Sequence, residues 1–413
     1  MKSWVAGVDW GSAKHAVCLI DAEGGVLGEK TFEHTGDGIA AMSDWLLKES
    51  GGEAARIWVA IEMPRGAVVE TLLERGFVVH TINPKQVDRF RDRFTVPGAK
   101  DDRRDAYVLA DSLRTDGHCF RCLQVDDPTV IELREWSRLG QELQEEHVRL
   151  ANRVYQQLLR YYPQMLQLAD DTGSDAFVAL WEFLPTPAAA DKVSAKAVAQ
   201  FLAKHRIRRF DAAHVLDTLR RKPLYVAPGT IEAATGHLRS LVARLRLVNS
   251  QLRDASHRID QLTEALGSEK ETEPGQKTEQ RDAEILRSLP GVGRIVLATL
   301  LAEASQPLAA RDYHALRTML GVAPVTRRSG KRTVVAMRQA CDGRLRTAVY
   351  HWARVASQID PHTRAAYTTL RARGHSHGRA LRSVADRLLR LACAMLRDRT
   401  LFDPQRRRQP VAA

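Results

Sequence analysis

The sequence predicts an α/β N-terminal domain, a long coiled-coil helical middle and a mostly α-helical C-terminal domain. Three observations carry this. Residues 4–82 read in the order β-β-β-α-β-α-β, which is a mixed sheet with helices packed on it. Residues 231–266 repeat apolar side chains at alternating steps of three and four over five heptads. Residues 282–413 keep helical spacing around one Pro-Gly-Val-Gly turn.

The elements follow in chain order. Strands are expected at 4–9, 16–21 and 26–32, with a turn at Glu23-Gly24-Gly25. Ile39, Met42, Trp45 and Leu46 mark a helix over 37–49. A buried-looking strand at 57–62 ends in Glu62, a helix runs over 66–75, and a strand at 77–82 stops at Asn83-Pro84. Leu133, Trp136, Leu139, Leu143, His147, Leu150, Val154 and Leu158 give a helix from 129 that Pro163 ends. Residues 166–228 form a Pro- and Ala-rich insertion with small helices such as 194–205. The heptad seam is Ile231, Ala234, Leu238, Leu241, Leu245, Val248, Leu252, Ala255, Ile259, Leu262 and Leu266; its partner is either the 129–162 helix or a second subunit. The polar stretch 267–281, with Pro274-Gly275, reads as a flexible linker. Domains are therefore expected at 1–125, 126–281 and 282–413, with strand or loop character at 321–335.

Composition narrows the function. No run of eighteen apolar residues exists, so no membrane span is expected. Strand pattern begins at once, with no signal peptide, and the five cysteines make no disulfide framework, which predicts a cytoplasmic protein. Cys119 and Cys122 form a CxxC beside His118, but no second ligand pair follows at zinc spacing. The formal net charge is +12. Residues 361–413 hold twelve Arg against three Asp, and residues 321–351 seven Lys and Arg against one Asp. Two such stretches in one domain are the footprint of a polyanion, usually nucleic acid.

Acids gather at the ends of the apolar runs. Asp9 and Glu62 end strands, and Asp102 and Asp105 stand three apart on the helix after residue 99, facing one way. Asp101 and Asp111 compete, Asp101 being placed toward solvent. Four carboxylates at one end of a sheet repel unless cations lie between them, and oxygen ligands of this kind suit Mg²⁺ or Mn²⁺. Paired divalent ions can polarise a phosphodiester and stabilise its attacking and leaving oxygens. In the C-terminal domain Gly291 and Gly293 let the backbone approach something closely, read either as a phosphate contact or as a simple helix–helix turn. Ser329 lies among Arg327, Arg328, Lys331 and Arg332; on composition alone Ser-Gly here is turn chemistry.

The order Asp…Glu…Asp-x-x-Asp resembles the RuvC branch of RNase H-like nucleases. GVDWGSAKH, IEMPRG, INPKQV and KDDRRDA resemble the DEDD transposases of bacterial insertion sequences, the IS110 family. LRSLPGVGRIVLATLLAEA, LGVAPVTRRSGKRT and RARGHSHGRALRSVADRLLR resemble that family's second domain. The resemblance spans residues 4–165 and 230–403. It implies a transposase or recombinase that acts on element ends and target DNA in the bacterial cytoplasm, nucleoid-associated. Asp9, Glu62, Asp102 and Asp105 would be catalytic metal ligands for Mg²⁺ or Mn²⁺. Ser329 would be the nucleophile that links covalently to DNA, with Arg327, Arg328, Lys331, Arg332, Gly291 and Gly293 on nucleic acid. It also implies a non-coding guide RNA and a homo-oligomer, dimer or tetramer, with a site composed across subunits. The stretch Gln339-Ala340-Cys341-Asp342 departs from a Ser-Lys step that some relatives carry. His375 and His377, beside Gly374 and Gly378, read either as phosphate contacts or as a polar loop before the last helix.

Two other functions compete. A RuvC-like structure-specific endonuclease would hydrolyse DNA with no covalent intermediate. An actin-like or sugar-kinase-like ATPase would need a second phosphate loop, and the nearest match, 171-DTGSD-175, follows a helix rather than a hairpin.

Overall fold

The computed structural model describes residues 4–93, 101–267, 282–330 and 332–404. The chain divides into two compact units, Met1–Asp126 and Asp127–Ala413. The expected linker lies almost wholly outside the described residues.

The first unit is a six-stranded sheet with helices on both faces. β1 (Trp4–Asp9), β2 (Lys14–Asp21) and β3 (Val26–Glu33) form an antiparallel meander. After α1 (Gly36–Ser50), β4 (Ile57–Ile61) pairs parallel to β1. α2 (Ala67–Glu74) leads to β5 (Val78–Thr81), parallel to β4. α3 (Pro84–Arg91) and α4 (Asp102–Asp116) precede the two-residue β6 (Arg121–Cys122), so the order is β3-β2-β1-β4-β5-β6. This is the mixed RNase H-like sheet that the strand order predicts.

Alternation divides the core. Ala6 and Val8 of β1 and Ile57, Val59 and Ile61 of β4 share one cluster with α1 and α2. Val5 and Ala60 point to the other face, among Ala106, Val108, Leu109, Ala110 and Leu113 of α4. Gly7 lets α4 come close, since a Cβ there would fall 1.9 Å from the Ala106 carbonyl oxygen.

The second unit is helical. α5 (Pro128–Tyr161) starts on Asp127, whose side chain accepts from the Thr129 N–H, with Pro128 in the first turn. Short helices follow: α6 (Pro163–Leu166), α7 (Asp175–Phe183), α8 (Pro187–Lys192), α9 (Ala195–Lys204) and α10 (Ala212–Leu219). α11 (Thr230–Ala265) carries the heptad seam. Then come α12 (Asp282–Ser288), α13 (Arg294–Glu303), α14 (Ser305–Ala309) and α15 (Tyr313–Met319). The hairpin β7 (Val325–Ser329) and β8 (Arg332–Ala336) precedes α16 (Gly343–Ile359), α17 (Pro361–Ala372) and α18 (His377–Asp398).

The seam finds a partner within the chain. Asn249 bonds His147, Arg258 forks onto Glu132, and Arg244 meets Glu146, so α5 and α11 run antiparallel. Leu238, Leu241, Leu245 and Val248 pack on Leu150, Val154 and Leu158 and on the short helices. Ile259 and Leu262 pack instead with Leu133 in a second core, shared with α12, α13, α16 and α18. Of the two partners expected for the seam, its buried residues meet α5 and other helices of the same chain. A buried carboxylate ties the helices further. Glu303 accepts a fork from Arg138 at 3.0 Å and lies 3.4 Å from Arg344, joining α13, α5 and α16.

Candidate active-site carboxylates and the serine hairpin

Asp9 and Glu62 follow directly on the paired Val8 and Ile61, at the ends of adjacent parallel strands. Adjacent strands lie about 4.8 Å apart. Val8 and Ile61 point away from α4, so alternation turns Asp9 and Glu62 toward the face that α4 covers. Arg114, near the end of α4, lies against Gly24, in the turn next to Asp21. Asp21 pairs with Trp4, so α4 ends where β1 begins. The helix therefore begins at the Asp9 end, and Asp102 and Asp105 share one face and one end of the sheet with Asp9 and Glu62.

The four side chains differ in their surroundings. Asp9 and Glu62 are half-buried, and Asp102 is exposed in the first turn of α4. Asp105 is buried and held by a fork from Arg91, with Nε 2.7 Å from Oδ1 and Nη2 2.9 Å from Oδ2. Asp101 caps α4 by accepting from the Arg103 N–H, and Asp111 is buried in an ion pair with Arg114. Those bonds give both competitors structural work. Among the described residues no three His, Cys, Asp or Glu side chains are grouped closely enough to hold a metal ion. The donor set still fits a hard divalent cation, being all carboxylate oxygens at one sheet end.

Two features escaped the sequence. Arg91 sits in a run of charges with no periodic signal. A ring cluster flanks the Asp9 end: His15 Nε2 lies 2.9 Å from His34 Nδ1, and Trp10 packs near both rings. Burial, then the nearby His34, holds the His15 pKa below its usual value. The unfolded chain then binds more protons than the folded one, so stability rises with pH. The first unit should accordingly lose stability as pH falls below about 6.5, the ordinary imidazole value. Thermal melts between pH 8 and 5 check this, and His15→Asn should flatten the dependence.

In the second unit Ser329 lies at the tip of the β7–β8 hairpin. It pairs with Arg332 across Gly330, whose φ is +55°, and residue 331. Thus Gly330 takes the left-handed conformation that the tight turn needs. Residues directly opposite share a face, as do positions two apart. Arg327 and Arg332 therefore stand on the Ser329 side, and Arg328 on the reverse. All four residues are exposed, and among the described residues no acid pairs with these arginines. Lys331 lies outside the described residues.

Gly291 and Gly293 part company. Gly291, at φ +83°, packs on α16: a Cβ would come 2.6 Å from the Ala356 nitrogen. Nearby, the Trp352 indole donates to the Pro290 carbonyl. Close helix packing thus explains Gly291, whereas Gly293 is exposed at the start of α13. His377 is held by the Tyr367 hydroxyl at 2.7 Å and the Tyr350 hydroxyl at 3.3 Å. No described helix is long and apolar enough to cross a membrane.

Comparison with known proteins gives the family. Residues 6–163 match the transposase family DEDD_Tnp_IS110. Residues 283–368 match the family described as "Transposase IS116/IS110/IS902 family". A Sinorhizobium fredii protein named "Putative transposase" is 55% identical over 208 residues, which is 50% of this chain and 58% of that protein. The Streptomyces coelicolor "Mini-circle putative transposase for IS117" is 32% identical over 98% of this chain and 96% of its own length. The Streptomyces coelicolor "Insertion element IS110 uncharacterized 43.6 kDa protein" is 27% identical over 96% of this chain and 95% of its own. The chain therefore belongs to the IS110 family of transposases, with a DEDD domain at its N-terminus and the family's second domain toward its C-terminus.

Proposed function

We propose that this protein cleaves and rejoins DNA strands at the ends of an insertion element and its target, with Ser329 as nucleophile. The observation that carries the proposal is the hairpin. It presents Ser329 at an exposed tip, with Arg327 and Arg332 on the same face and no carboxylate among the described residues to occupy them. A duplex or strand lying there would meet two guanidinium groups beside the hydroxyl, which is phosphate recognition. In the reaction Ser329 Oγ bonds to phosphorus as the bond to the leaving sugar oxygen breaks. The serine proton is lost and the leaving oxygen gains one. Arg327 and Arg332 hold the phosphate and offset charge on its oxygens in the transition state.

Asp9, Glu62, Asp102 and Asp105 are the residues that would hold Mg²⁺ or Mn²⁺. Such an ion lowers the pKa of a bound hydroxyl and stabilises the departing oxygen. Arg91 orients Asp105 by its two-pronged bond. A guide RNA and assembly of two or more copies complete the proposal; they rest on the family resemblance. If copies meet through the long helices, exposed Val148, Tyr155 and Leu159 on α5 are part of the apolar surface available, with Ile131 and Leu139 on α5 and Leu247 on α11.

The hydrolytic endonuclease stays as a second possibility because Ser329 has no described side chain in place to take its proton. The test mixes the protein with DNA carrying element ends, with Mg²⁺ or with chelator, and separates products under denaturing conditions. Strand joining and a DNA-linked protein band that need the divalent ion support the proposal. Free ends alone favour hydrolysis.

The register makes a finer prediction. Arg327→Gln and Arg332→Gln should each lower the cleavage rate by about 10²-fold, as expected when a transition-state donor is lost. Arg328→Gln, on the reverse face, should cost less than about tenfold and act mainly on binding. Single-turnover cleavage of the three variants checks the order; equal losses would contradict the face assignment.

A further inference from the structure

At the root of the serine hairpin lies a cavity of about 280 Å³, at the small end of ligand sites. Its floor is apolar: Leu320, Val322, Val349, Leu381 and Ala385. Its rim is Tyr350, Thr347 and two arginines, Arg346 and Arg382. Met337, the residue after β8, closes one side, and its sulfur accepts from Arg382 Nη1 at 3.2 Å.

The charges here are unsatisfied. Among the described residues no carboxylate pairs with Arg346 or Arg382. Burial, then the like charge of Arg379, pushes the Arg382 pKa down from its usual value. A half-buried guanidinium in this setting gains from an anion. Charge and shape together narrow the occupant. An apolar slot sized for one flat group, between two cations and beside a tyrosine ring, suits a base with its flanking phosphates. A free phosphate would leave the apolar floor uncovered, and a purely apolar chain would leave both arginines unmatched.

We propose that this cavity receives one unstacked nucleobase of the bound nucleic-acid strand, with Arg346 and Arg382 on the adjoining phosphates. The proposal rests on the nucleic-acid-binding function above. From Met337 to the Ser329 tip is about five strand residues, or about 17 Å at 3.4 Å each. The captured nucleotide therefore lies some way along the strand from the scissile phosphate. It fixes the strand's register on the hairpin, and sequence tolerance is expected because every base has a flat face.

The test uses the full chain and two fluorescent probes: a short mixed-sequence single-stranded DNA, and an oligomer of the same length with abasic sugars throughout. The wild type should bind the first about tenfold more tightly than the second. Thr347→Leu fills the mouth from an exposed position on α16 without adding a ring for stacking. It should abolish that preference and leave abasic binding unchanged. Arg382→Gln should weaken both probes and lower the salt slope by about 0.7, the loss of one phosphate contact on a single strand. Thermal melts verify that both variants fold. If the wild type binds both probes equally, or if folded Thr347→Leu keeps the preference, the cavity holds no base, while DNA binding itself stands. If the wild type binds neither probe, the cavity proposal is overturned and the functional proposal falls with it.

Discussion

Ser329→Ala should eliminate a protein–DNA adduct that survives denaturation and should lower cleavage by more than about 10³-fold, the scale seen when a nucleophile is removed. Serine hydroxyl is a weak nucleophile until its proton is removed or its oxygen is polarised. In the hairpin no histidine or carboxylate is in place to do that, since Ser329 shares its tip only with Gly330 and Arg332 among the described residues. On the function proposed above, the four acids, with the ion they would hold, would supply that polarisation. Asp9→Ala should accordingly remove the adduct as completely as Ser329→Ala, although the two residues belong to different units. The covalent bond also conserves the energy of the broken phosphodiester, so rejoining needs no ATP. A nuclease separates cleanly from this. If Ser329→Ala cuts at the wild-type rate and releases free ends while Asp9→Ala does not cut, water is the nucleophile and the hairpin only binds. Denaturing gels of radiolabelled DNA, with both variants side by side, read both outcomes.

How much of this was legible depends on the range of each interaction. Strand ends were readable because alternation is local: Val8-Asp9 and Ile61-Glu62 carry the switch from core to acid within two residues. The convergence of Asp102 and Asp105 on the same sheet end was not readable from period alone. It depends on Gly7, which admits the Ala106 backbone, and nothing local marks that glycine as a contact. Arg91 was invisible for a similar reason, because its partner Asp105 stands 14 residues away on another helix. Residues 166–228 read as a Pro- and Ala-rich insertion with small helices such as 194–205, without the starts of the others. Yet Pro187 opens α8 in its first turn, and Ser174, Thr186, Ser194 and Asp211 each cap a short helix. Those caps were in the sequence and outweigh the prolines. The two-residue β6 has no periodicity to detect. For Gly291 and Gly293 the motif was real, but sequence could not say which glycine meets α16 and which meets solvent.

Leu241→Lys combined with Leu245→Lys should unfold the helical unit instead of releasing soluble, folded subunits. Both leucines are fully buried, and they pack on α5 and the short helices of the same chain. Losing one such side chain to alanine costs about 2–5 kcal/mol. Lysine adds a charge inside an apolar cluster, which raises the cost. Two such changes approach the whole stability of a typical domain, about 5–15 kcal/mol. The variant should therefore lose most of its helical circular dichroism or aggregate at room temperature. A seam that joined two subunits would behave differently: each folded protomer would survive, with unchanged helicity and half the mass in light scattering. The outer face offers the contrast. Val148→Lys and Tyr155→Lys lie on exposed positions of α5 and should leave the melt within about 0.5 kcal/mol of the wild type. If those two changes instead halve the mass of the assembly, the outer face of α5 is where copies meet. The buried seam would then serve only to hold α5 and α11 rigid beneath it.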